Sequence, residues 1–96
     1  MKFIKLMPDY ECHPLWNISP DEYGDIDPLD LPISDALNLR LKAWAAKYDE
    51  TLDRDYPPNS GFKSEVLEFK FREEGKLLAE ALQNELGLGY VISIQI

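Results

Sequence analysis

The sequence predicts an α+β fold in the order strand, helix, helix, strand. A helical hairpin packs on a small two-stranded, antiparallel sheet, with a long ordered acidic loop over 8–33. Three observations carry this. Two segments repeat apolar residues at helical spacing, the two ends carry short apolar runs of strand character, and the stretch before the first helix has neither period. A two-stranded sheet is marginal by itself. The sheet is therefore expected to lean on the helices or on another chain. The 96 residues read as a single domain, 1–96.

Residues 2–7 read as a strand, with Phe3 and Met7 on one face and Ile4 and Leu6 on the other. Pro8 ends it. Residues 34–54 read as a helix. Ser34 is the expected N-cap and Asp35 suits the first turn. Leu37, Leu41, Trp44, Tyr48 and Leu52 form its apolar stripe. Tyr56, Pro57 and Pro58 close it, and Asn59, Ser60 and Gly61 turn the chain.

Residues 64–86 read as the second helix, with Ser64 as cap, Gly87 as stop and a stripe of Leu67, Phe71, Leu78, Ala81 and Leu82. Residues 66–71 also alternate like a strand, but flanks rich in Glu, Lys, Leu and Ala favour helix. Gly75 reads as a site of close helix packing. Residues 89–96 read as the last strand, with Tyr90, Ile92, Ile94 and Ile96 alternating against Val91, Ser93 and Gln95.

The net charge of −8 belongs to one segment. Between Lys5 and Arg40 there is no lysine or arginine, while Asp9, Glu11, Asp21, Glu22, Asp25, Asp27, Asp30 and Asp35 all lie there. Elsewhere ten basic residues meet ten acids. A concentrated negative surface attracts basic partners and repels nucleic acid and anionic membrane. Leu15, Trp16, Ile18, Tyr23, Ile26, Leu29, Leu31 and Ile33 interleave with these acids, and four prolines stiffen the segment. The expectation is an ordered loop, tacked down by its apolar residues, with carboxylates facing outward. Merely solvated acids covering the core are the alternative.

Specific chemistry is sparse. Cys12-His13 is the sole cysteine–histidine combination. Adjacent residues do not make a zinc site by themselves, and a nucleophilic pair needs side chains that meet. Asp25-Ile26-Asp27 with Asp30 lacks the glycine and closing glutamate of a calcium loop. No phosphate loop, dinucleotide fingerprint or nucleophile elbow is present. The expectation is a protein that is not an enzyme, with no cofactor, no metal and no catalytic residues. One cysteine, no apolar run of roughly 18 residues and no signal-peptide core point to the cytosol. Trp44 reads as core. Trp16 reads as an anchor of the loop or a partner contact.

The opening MKFIKLMPDYECHPLW, then DIDPLDLPISDALNLRLKAWAAKYDETL, PPNSGF and the closing ELGLGYVISIQI together resemble a family of small acidic bacterial proteins. These are immunity proteins of toxin systems, including contact-dependent growth inhibition. The resemblance covers nearly the whole chain and implies a cytosolic toxin-neutralising protein. It supplies no contact residues. The chain departs from that pattern at Val66, Leu67 and Phe69, where a run of acids is expected.

The two lines of argument meet in an inhibitor that binds a basic toxin domain, foremost a nuclease such as an RNase, whose cleft holds phosphate. Asp21, Glu22, Tyr23, Asp25, Asp27, Asp30 and Trp16 are the expected partner-binding residues. Neither nucleic acid nor membrane is an expected direct partner, and the chain is expected to be a monomer or weak homodimer. The alternative is a small cytosolic scaffold that self-associates through the edge of its last strand.

Overall fold

The computed structural model describes residues 1–57 and 60–96. Pro58 and Asn59, expected in the turn between helices, lie outside them. The elements run β1 (Lys2–Leu6), β2 (Leu15–Asn17), β3 (Asp25–Ile26), a 3₁₀ turn (Pro28–Asp30), α1 (Asp35–Asp49), α2 (Glu65–Leu86), a second 3₁₀ turn (Gly87–Gly89) and β4 (Tyr90–Ile94).

The α+β class holds, but the sheet has four strands, not two, in the order β3-β2-β1-β4. It is mixed. β1 pairs antiparallel with β2 and β2 antiparallel with β3, while the two terminal strands lie parallel, with Phe3 opposite Val91. β2 and β3 come from the segment expected to be loop. At three and two residues, neither is long enough to display alternation.

The parallel pairing follows from the path of the chain. β3 ends at the edge of the sheet marked by Leu6, Leu15 and Ile26. Residues 27–33 then run back to the opposite end, where the Ser34 N–H donates to Glu85 Oε1 at 2.6 Å. The helix hairpin therefore starts and finishes near the N-terminal end of β1, and β4 must run alongside β1.

Alternation along the strands sends one set of side chains to the helices. Ile4, Leu6, Leu15 and Ile26 meet Leu31, Leu37, Leu41, Trp44, Phe71, Leu78 and Leu82 in one core. Burying a leucine or isoleucine fully contributes about 1.5–3 kcal/mol, and six of these aliphatics are wholly buried: Ile4, Leu6, Leu15, Leu41, Leu78 and Leu82.

Helix α1 is capped as expected, with Ser34 Oγ accepting the Leu37 N–H. It stops at Asp49, five residues before the expected 54. Local bonds compete with helix beyond that point. Thr51 Oγ1 donates to the Tyr48 carbonyl at 2.6 Å, and Asp53 Oδ1 accepts the N–H groups of Asp55 and Tyr56. Leu52 consequently lies outside the helix and half-buried.

Helix α2 matches expectation from the Ser64 cap to Gly87, whose φ of +78° suits a residue without a side chain. Leu67, expected in its stripe, is exposed instead. The inter-helix crossing is tight at Gly75, where a Cβ would sit 2.9 Å from Trp44 Cζ2.

The outer edge of β4, the surface required by the self-association alternative, is partly occupied. The Gln83 side chain hydrogen-bonds Tyr90 O and Ile92 N there.

Candidate functional site: the acidic segment

Residues 8–33, expected to form one loop, carry β2, β3 and a 3₁₀ turn, and distinct contacts pin successive parts. Tyr10 stacks on Tyr48 with ring centroids 4.6 Å apart, and its hydroxyl lies 2.9 Å from Thr51 Oγ1. Glu11 sits in the left-handed region at φ +59°. Its N–H donates to Asp49, and its carboxylate pairs with Arg54 at 2.8 Å. These contacts hold the 9–12 turn against the end of α1.

Trp16 on β2 donates its indole N–H to the Met7 carbonyl at 2.9 Å. It is half-buried on the face of the sheet away from the core, since its neighbour Leu15 points inward. The anchoring reading of this residue therefore has a direct structural basis.

The β2–β3 connection is the most prominent part. Asn17 N donates to Gly24 O, Glu22 N to Ser19 O and Phe3 N to Ser19 Oγ. Asp21 at φ +66° and Gly24 at φ +96° make the reversal. Asp can adopt this region at a modest cost because its short side chain bonds locally. The loop ends in Tyr23, which is 89% exposed, flanked by the exposed Asp21 and Glu22. An aromatic ring held out in water on an ordered turn gains nothing for folding.

The remaining acids divide by role. Asp25 Oδ2 accepts the His13 N–H at 3.0 Å and lies 3.1 Å from its Nδ1. The backbone hydrogen bond from His13, opposed by some burial and aided by the His13 ring, holds the Asp25 carboxyl below the usual carboxylate range. Asp27 caps the first 3₁₀ turn through Leu29 N and lies 4.0 Å from His13 Nε2. Asp30 is exposed within that turn. Glu22 pairs with Lys2 at 3.5 Å.

The structure thus groups Asp25 and Asp27 around His13, and Asp21, Glu22 and Tyr23 at the hairpin tip, with Trp16 behind. Lys2 and Arg54 reach into the segment from outside, and the His13 ring hydrogen-bonds Asp25 from within it. The His13–Asp25 pair, twelve residues apart, was not legible from spacing.

Cys12 lies among carboxylates, and the His13 ring is engaged by Asp25. Burial first, then the nearby Asp9, Asp25, Asp49 and Glu11, push the Cys12 thiol upward, so it is protonated at neutral pH. Among the described residues, no three ligating side chains cluster to hold a metal ion, and no helix is long and apolar enough to cross a membrane.

This architecture defines a small α+β protein with two helices over one face of a mixed sheet and eight acids on a stapled segment. The chain belongs to the Serratia CdiI immunity protein-like family, matched over residues 2–95, which makes it an immunity protein of the contact-dependent growth inhibition type. No curated protein gives a significant match.

Proposed function

We propose that this protein binds and neutralises a basic toxin domain, a nuclease, through the acidic segment, and does so in the cytosol. The observation that carries the reading is the β2–β3 tip. Tyr23 stands 89% exposed between carboxylates on an ordered turn of a chain with net charge −8. Aromatic residues on rigid supports dominate binding energy at protein interfaces, while surrounding charge sets encounter rate and partner choice. A cleft that holds phosphate presents the complementary charge.

Two of the expected contacts have structural duties as well. Asp25 ties β3 to His13, and Asp27 caps a turn. The decisive test therefore uses Asp21, Glu22, Tyr23 and Asp30. A toxin domain recovered with this chain as bait is titrated with the parent, with Tyr23→Ala and with Asp21→Lys/Glu22→Lys/Asp30→Lys. Tyr23→Ala should cost about 2 kcal/mol or more. Charge reversal should slow association and abolish protection from nucleic-acid cleavage in a protein that circular dichroism shows still folded, with a small loss of melting temperature because Asp21 sits at φ +66° and Glu22 pairs with Lys2. Undiminished binding by both variants would move the interface off this segment. Inhibition of a toxin that does not cut nucleic acid would remove the nuclease assignment.

A further inference from the structure

A second surface, apart from the acidic segment, has the opposite character. The end of α1, the turn before α2 and the first turns of α2 enclose a cleft of about 420 Å³. Its floor is aromatic. Trp44 and Phe71 stack with centroids 4.4 Å apart, and Phe62 packs on Phe71 at 5.0 Å. Lys47, Lys63 and Lys70 line it. Among the described residues none of these three lysines forms an ion pair. Of the two carboxylates lining the cleft, Glu74 is engaged by Arg40 at 3.3 Å, which leaves Glu50. No residue of 8–35 lines it.

At the start of α2, Leu67 lines the cleft and is still 49% exposed. A leucine left this exposed beside an aromatic floor adds little to the core, and exposed apolar groups rimmed by polar ones mark interaction surfaces. Cations around an apolar floor match one kind of occupant: carboxylates on the lysines, with an apolar side chain between them.

We infer that this cleft docks an acidic segment of a partner protein that carries an exposed leucine or aromatic side chain. Nucleic acid also offers negative charge, but a long polyanion would meet the repulsion of the whole −8 molecule. A short peptide samples only the local lysines. This inference does not rest on the toxin-binding reading, because its test contains no toxin.

The probe is a short fluorescein-labelled peptide of aspartates around one leucine and one phenylalanine, compared with the same peptide bearing lysines. Anisotropy should show the acidic peptide binding roughly tenfold or more tightly than its basic counterpart, and weakening as salt rises from about 0.05 to about 0.5 M. Lys47→Gln/Lys63→Gln/Lys70→Gln should lose that preference. Leu67→Ser, which removes a half-exposed side chain lining the cleft, should weaken binding while the variant stays folded by circular dichroism. Equal binding of the two peptides, or full binding by the glutamine variant, would overturn the inference. A single-stranded RNA bound as tightly would reassign the cleft to nucleic acid. A dimer in sedimentation that the same substitutions dissolve would assign it to a second copy.

Discussion

The side-chain amide of Gln83 pairs with Ile92 as a neighbouring strand would. Its Oε1 accepts the Ile92 N–H at 3.1 Å, while its Nε2 donates to the Tyr90 carbonyl at 2.7 Å and to Gly87 O at 3.1 Å. Alternate backbone groups of a strand face opposite neighbours. Gln95 N bonds Leu6 O on β1, so the groups of Tyr90 and Ile92 face the open edge. Gln83→Leu should leave them without this partner, at a cost of about 1–3 kcal/mol, and should raise self-association through the exposed edge. Gln83→Glu keeps the acceptor and loses the donor, so it should fall between parent and leucine. Chemical denaturation and sedimentation velocity read both effects. A monomeric leucine variant of parental stability would mean that the edge is protected otherwise.

Gly75 and Trp44 should behave as one unit. The indole is 1% exposed and donates to the Phe71 carbonyl at 2.9 Å, so it has no room to retreat. Gly75→Ala should destabilise by about 1–3 kcal/mol through overpacking. Trp44→Ala should cost about 3–5 kcal/mol. The double variant should lose less than the sum, since the added methyl then enters vacated space. Additive losses in urea denaturation would show that the ring and the glycine do not meet.

Stability should depend on Asp25 in acid. Its folded-state carboxyl titrates below the ordinary value, so its contribution is fully present above about pH 4 and fades as pH falls through the lower folded value. Asp25→Asn should lose the pH-dependent part of that contribution and show a shallower acid limb in melts. Identical limbs for parent and variant would sever Asp25 from acid stability. The group is partly exposed, so the effect is modest.

Cys12 should be a slow nucleophile. Its raised thiol pKa leaves little thiolate at pH 7, and alkylation by iodoacetamide should accelerate as pH climbs past about 8.5, the ordinary cysteine value. Asp9→Asn removes the neighbouring negative charge that acts most strongly on the thiol and should speed the reaction at fixed pH. A parent rate already equal to that of free cysteine at pH 7 would contradict the electrostatic picture.

The helices, their caps and the terminal strands were legible because each has enough residues to show a period. Ser34, Ser64 and Gly87 act where the sequence placed them. β2 and β3 were not legible: two or three residues cannot display alternation, and their pairing is tertiary. The parallel direction of β1 and β4 depends on residues 27–33 running back along the sheet, which no local signal encodes. At the acidic segment, charge and order could be read directly. The division of labour between Asp25 and Asp27 on one side and Asp21, Glu22 and Tyr23 on the other could not, because it depends on where His13 and the hairpin turn fall in space.

The pairing of Phe3 with Val91 also orders events in time. Residues 2–6 are synthesised before residues 90–94, and one side of that strand has no partner until they are made. The β1–β2–β3 ladder and the helix hairpin use nearer contacts and can assemble sooner. Closure of the sheet must wait for a long-range contact, which slows folding and leaves an unpaired strand edge exposed in the nascent chain. Ile4 and Leu6 would depend during that interval on chaperones or on early collapse against α1 to stay out of aggregates.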